Sequence, residues 1–166
     1  MSVSSSTAYR DLQQHLAELE RQGLLQRIEH PIDKDAELHP LVRWQFVGGM
    51  QESERKAFLF THIVNAQGRR YAMDVVVGAL AANREIYSVG MGAKVEDIQK
   101  RWDHAIQNPI PPVAVKQAVC HEVVWTGADL LGEGKGLDML PIPVSTPGFD
   151  SAPTLTATNV ITADPS

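Results

Sequence analysis

The stretch AFLFTHIVNAQGRRYAMDVVVGAL, residues 57–80, decides the fold class. AFLFTHIV (57–64) is apolar, aromatic and β-branched enough for a strand, NAQGR (65–69) holds the Asn and Gly that turns favour, and RYAMDVVVGAL (70–80) reads as a second strand. The three pieces together predict a hairpin. Both strands carry apolar residues on two faces, so helices or another sheet must cover them on each side.

Working outward, the flanking sequence supplies helices. Toward the N-terminus, Leu12, Leu16 and Leu19 recur at helical spacing, which predicts a helix over 8–22 with Thr7 as N-cap and Gly23 at the left-handed C′ position. LLQRIEHPI (24–32) follows as a short strand closed by Pro31, which cannot donate to a ladder. In AELHPLVRWQFVGGM (36–50) the apolar positions Leu41, Trp44, Phe46 and Val47 predict a helix with Pro40 in its first turn and Gly48-Gly49 at its end. Beyond the hairpin, Asn83 can cap a helix through REIYSVGM, and Val95, Ile98, Trp102 and Ile106 form a stripe expected to face a core.

The character changes at NPIPPVAV (108–115), whose prolines forbid helix and favour an extended connection. A domain boundary is expected here, dividing an α/β domain at 1–115 from a second unit at 116–166. That unit reads as a strand at AVCHEVVW (118–125), a Gly- and Pro-rich loop over 127–153, and a strand at TLTATNVIT (154–162). Two strands are too few to be stable alone. The second unit is therefore expected to be an unfinished domain, closed by further chain or by a partner subunit.

Composition removes several function classes. The chain has 166 residues, 43% of them apolar, and a formal charge of -5 with no basic block beyond Arg69-Arg70, so nucleic acid is not an expected partner. The longest apolar run, near 72–82, falls short of the roughly 20 residues that span a bilayer. MSVSSSTAYR lacks the apolar core of a signal peptide and Cys120 is the only cysteine, so a cytoplasmic location is the default expectation.

Residue chemistry within the chain is sparse. The six histidines show no chelating spacing, so no metal site is expected from this chain itself. Cys120 and His121 would point to opposite faces of a strand and cannot pair as nucleophile and base, which leaves Cys120 as a buried structural thiol. GMG (90–92) follows a helix pattern and reads as a helix end, GEGKG (132–136) lacks phosphate-loop spacing, and Lys135 in it reads as a solvated charge. Glu85 and Glu96 read as helix-dipole partners, and Glu52 and Glu54 as surface. No catalytic residue is assigned. In the last predicted strand Thr154, Thr156, Thr158 and Thr162 alternate with Leu155, Ala157 and Ile161, giving a hydroxyl face and an apolar face, the pattern of an ordinary half-exposed strand.

LDMLPIPVSTPGFDSAPTLTATNVITADPS (137–166) resembles the entry into the central domain of the UbiD family of decarboxylases, where an L-P-x-P step, a loop and a Thr-rich strand ending in Ile-Thr-x-Asp-Pro lead to the cofactor. YRDLQQHLAELERQGLLQRIEHPID (9–33), AFLFTHIVNAQGRR (57–70) and VVVGALAANREIYSVGMG (75–92) resemble earlier segments of that family in the same order. The resemblance implies an N-terminal α/β domain followed by the first strands of a split β-barrel, flavin-binding-like domain. It implies reversible, non-oxidative decarboxylation of an aromatic or α,β-unsaturated carboxylic acid, free or as a thioester, with prenylated FMN held through a divalent metal such as Mn2+ and K+, in an oligomer. It places Thr156, Thr158 and Asn159 against the cofactor, and puts the catalytic and metal-binding residues beyond this chain. Two further readings stay open. One is a small non-catalytic subunit completing a partner chain's sheet; the other is a self-contained flavin-binding module.

Overall fold

The computed structural model describes Tyr9 and residues 11–111, 113–131 and 134–155. It is an α/β structure built around the expected hairpin. Strands β1 (Leu25–Ile28), β3 (Ala57–Phe60) and β5 (Val75–Val77) form one sheet in the order β1-β3-β5, while β2 (Ile32–Asp33) and β4 (Ile63–Val64) form a second, two-stranded one. β3 and β5 are antiparallel, with Phe58 opposite Val77 and Phe60 opposite Val75. The turn between them is held by Asn65, whose side-chain oxygen accepts from the Gln67 and Arg69 amides at 3.1 and 2.9 Å.

The first pair of strands is parallel to the second, joined by the crossover helix α2 (Leu38–Val47). Leu25 sits opposite Ala57 and Ile28 opposite Phe60, but Ile32 sits opposite Ile63, so one extra residue is accommodated on the first strand between Ile28 and Ile32. Pro31 lies in that interruption. The ladder resumes past it, with the Ile32 amide donating to the His62 carbonyl at 3.0 Å. Pro31 therefore lies in the gap between the two ladders, after β1 has ended at Ile28 and just before β2 begins.

Alternation along β3 feeds two cores. Ala57 and Leu59 pack with Leu16 and Leu19 of α1 (Leu12–Arg21) and Ile86 and Val89 of α3 (Arg84–Met91), whereas Phe60 packs on the opposite face with Ile32, Ile63, Tyr71 and with Leu38 and Val42 of α2. Leu19, Phe60, Ile63, Leu38 and Ile86 are fully buried, each worth roughly 1.5–3 kcal/mol of transfer free energy.

Helix boundaries follow from caps. Asp11 caps α1, its carboxylate accepting from the Gln14 amide at 2.8 Å; Thr7, expected in that role, lies outside the described residues. At the other end Gly23 has φ +71, and the Gly23 and Leu24 amides return to Glu20 and Leu19 carbonyls at 3.0 and 2.8 Å, the Schellman arrangement. Asn83 caps α3 as expected, and Gly92 closes it in the left-handed region, so GMG is a helix end.

Two expectations are corrected, for residues 98–107 and 118–125, while α2 forms as expected with Pro40 in its first turn and Gly48 after its end. In α2 the buried residues are Leu38, Val42 and Gln45, while Leu41, Trp44, Phe46 and Val47 are exposed. Gln45 is held inside by two bonds to the Lys56 backbone, at 2.9 and 3.0 Å, so a polar residue occupies a place where pattern reading expects an apolar one. In α4 (Ile98–Gln107) no residue is buried; Trp102 instead donates its indole N–H to the Tyr87 hydroxyl at 2.5 Å. And 118–125 is not a strand: Val119–His121 is a single 3-10 turn, with Val119, Val123 and Val124 exposed, because no neighbouring strand among the described residues lies beside it. The expected burial of Cys120, and the predicted strand from Thr156 onward, fall on residues or side chains outside those described.

Candidate functional site

The described part of the C-terminal stretch returns to the N-terminal sheet. A groove of about 700 Å³ opens between α2, β5 and residues 143–155, walled by Val42, Phe46, Val75, Val77, Pro143 and Leu155. His39 and Arg43 add two nitrogen-bearing side chains to a lining that is otherwise mostly apolar. Burial disfavours the charged form of His39 and pushes its pKa below the ordinary value, with the Asp150 carboxylate pulling the other way. Size and lining suit a small apolar ligand or an apolar segment of protein.

The returning stretch is tied down at several points. The Arg69 guanidinium donates to Asp138 at 2.6 Å, and this bond together with the Gly134 amide holds the Asp138 carboxyl below its ordinary range. Lys34, only 6% exposed, donates its ammonium to Asp35 at 2.5 Å and to the Ile142 carbonyl at 3.0 Å. Both cations approach the Tyr71 ring, Lys34 at 5.8 Å and Arg69 at 5.1 Å from its centroid. Farther on, the Thr146 amide donates to the Asp150 carboxylate at 2.6 Å, and the Thr154 amide to the Pro143 carbonyl at 3.3 Å.

Thr156, Thr158 and Asn159, the residues expected against a cofactor, lie outside the described residues; Thr154 and Leu155, just before them, line the groove. Among the described residues no three His, Cys, Asp or Glu side chains converge as a metal site. His15 is buried on α1 with its Nε2 at 2.8 Å from the Ala79 carbonyl, a structural placement. Glu52 and Glu54 do more than decorate the surface: Glu54 accepts from the Gln51 amide at 3.0 Å, and Glu52 accepts from the Arg84 amide at 3.2 Å and pairs with its guanidinium. Lys135 pairs loosely with Asp129 at 3.7 Å, both exposed. Lys34, Arg69 and Asp138 were invisible to sequence reading, since their partners are 108 and 69 residues away. No helix among the described residues is long and apolar enough to cross a membrane.

No family model matches the chain. Solved structures do. The apo 3,4-dihydroxybenzoic acid decarboxylase from Enterobacter cloacae superposes with a TM-score of 0.69 at 28% identity, over 89% of this chain and 30% of that one. The UbiD-class enzyme HmfF from Pelotomaculum thermopropionicum, in complex with FMN, superposes with a TM-score of 0.62 at 29% identity, over 82% of this chain and 27% of that one. The chain has a UbiD-class fold. An evolved dimeric form of HmfF, in complex with prFMN, agrees at a TM-score of 0.58 and 25% identity, over 84% of this chain and 29% of that one. The UbiD-like chain thus spans less than a third of the length of the structures it matches.

Proposed function

We propose that this chain is the N-terminal part of a UbiD-like decarboxylase acting reversibly and without net oxidation on an aromatic or α,β-unsaturated carboxylic acid, free or as a thioester, in the cytoplasm. The observation that carries this reading is the likeness to a UbiD-class enzyme and to a 3,4-dihydroxybenzoic acid decarboxylase, at 28–29% identity over more than four-fifths of the chain. The boundary near residue 115 belongs to the same proposal, with 116–166 as the start of a split-barrel, cofactor-binding domain.

Loss of CO2 from an sp2 carbon leaves a carbanion, and prenylated FMN, when bound, supplies the electron sink that protein side chains lack. Among the described residues no three His, Cys, Asp or Glu side chains converge as metal ligands, and the groove is walled mostly by aliphatic and aromatic side chains, with His39 and Arg43 as its nitrogen-bearing members. No chemical step is therefore assigned to them. Their part is architectural. Two cores fix the domain, and the ties at Lys34, Arg69 and Asp150 fix the stretch that precedes Thr156, Thr158 and Asn159, which are proposed to contact the cofactor. The divalent metal, Mn2+, and K+ are assigned to the longer protein, as are its substrate pocket and its oligomer contacts.

The test is to purify the product of the full reading frame, titrate it with FMN and measure CO2 release from aromatic acids after supply of the prenylated cofactor. Flavin retention and carboxylate-dependent CO2 release are expected. A full-length product that retains no flavin refutes the assignment.

A further inference from the structure

We propose that Lys34 and the Arg69–Asp138 pair are positioning residues that set where the chain leaves the N-terminal domain toward Thr156; the inference rests on the reading of Thr156, Thr158 and Asn159 as cofactor contacts. Burying an ammonium costs several kcal/mol unless it is fully paired, so Lys34 is expected only where its partners hold it. Those partners are Asp35 next to it and the carbonyl of Ile142, 108 residues away. Lys34 is also held through its own backbone and its neighbours'. Its amide donates to the Val64 carbonyl at 2.9 Å, and the Asp33 carboxylate accepts from the Asp35 amide at 2.8 Å, so the turn entering α2 aims the side chain.

From Ile142 the constraint passes along a short path. Pro143, the next residue, accepts the Thr154 amide at 3.3 Å, and the intervening loop is closed by Thr146 and Asp150 through two bonds of 2.6 and 2.9 Å. Fixing Ile142 therefore fixes Thr154, two residues before Thr156. Arg69–Asp138 holds the same stretch four residues earlier, so that the segment is gripped at two points rather than pivoting about one. A lysine serving only local packing would need no partner so distant, and Asp138 is 52% exposed, so it contributes little to the core.

The test uses hydrogen exchange on the full-length protein, read at the Ile142 and Thr154 amides and, as control, across β3. Lys34→Met is expected to speed exchange at Thr154 by about tenfold, in line with the loss of a hydrogen bond from a charged donor, and Asp138→Asn by about threefold, with β3 unchanged. Combining Arg69→Asp with Asp138→Arg is expected to restore protection. FMN affinity should fall and recover in the same order. Should Lys34→Met fail to fold, the exposed Asp138→Asn and its charge-swapped rescue carry the test alone. Unchanged exchange at Thr154 in the Asp138 variant overturns the grip of these residues on the segment; raised exchange with unchanged FMN affinity overturns their positioning role. A wild-type protein that protects Thr154 but binds no flavin sinks the cofactor reading and leaves that grip standing.

Discussion

Helices α1 and α3 end in one situation, and helices α2 and α4 in the opposite one. α1 and α3 bury the residues their periodicity points to: Leu16, Leu19, Ile86 and Val89 form a core with β3. α2 leaves Trp44 66% exposed and α4 leaves Ile106 72% exposed. The difference teaches that an apolar stripe says a surface will be covered, but not by what. For α1 and α3 the cover is the three-stranded sheet, made of nearby sequence. For α2 only Leu38 and Val42 meet that sheet's other face, and for α4 the described contact of note is one indole N–H to Tyr87.

The sharpest way to break the comparison is truncation inside the covered pair. Leu19→Ala and Ile86→Ala each empty a site with no solvent exposure and are expected to cost about 3–5 kcal/mol, read as a lowered urea midpoint at unchanged slope. A cost below about 1 kcal/mol would mean that the α1–α3 core is not what holds the domain. Next in size is Asn83→Ala. Asn83 accepts from the Ile86 amide at 2.8 Å and donates to the Arg55 carbonyl at 2.6 Å, so its loss removes a cap and strips a partner from a backbone carbonyl, about 2–3 kcal/mol together. Asn83→Asp should recover much of the cap but not the donated bond, which separates the two parts.

Much of this division was legible in the sequence. The hairpin, the Asn83 cap, the glycine ends at Gly23 and Gly92 and the α/β class all rest on local chemistry, and local chemistry is what a window of residues carries. What escaped was set by distance. Gln45 at a core position needs Lys56 to satisfy it, Lys34 needs Ile142, and Asp138 needs Arg69. The one-residue register shift around Pro31 escaped as well, because a register shift belongs to two strands at once. The strand expected over 118–125 failed for the reason that α4's stripe misled: β-prone residues make a strand only beside another strand, and Val119, Val123 and Val124 have none among the described residues. Thr156, Thr158 and Asn159 were expected against the cofactor only through the family resemblance, and they lie past Leu155, outside the described residues.

A smaller effect tests the α2 side by pH. His39 is half-buried and its pKa lies below the ordinary value because burial disfavours the imidazolium. The unfolded chain therefore binds the proton more readily than the folded one, so stability from the neutral ring is full above the unfolded value of about 6.5 and declines as pH falls through it. His39→Gln is expected to flatten the fall in stability between about pH 7.5 and 5.5, measured as thermal midpoint against pH. An unchanged slope would show that the groove does not shield His39 from solvent.

The smallest expected effect decides whether α2 is uncovered in solution at all. Trp44→Gln removes a large aromatic ring that is 66% exposed, and a ring in that state should cost no more than about 0.5 kcal/mol at any protein concentration. If the cost instead reaches about 2 kcal/mol, the ring is buried in solution, and the cause can be told by dilution: cover from a second copy weakens as concentration falls, whereas cover from within the same chain does not. A concentration-dependent loss would place α2 with α1 and α3 as a covered helix whose partner is another molecule. A concentration-independent loss would mean that chain beyond the described residues lies on it.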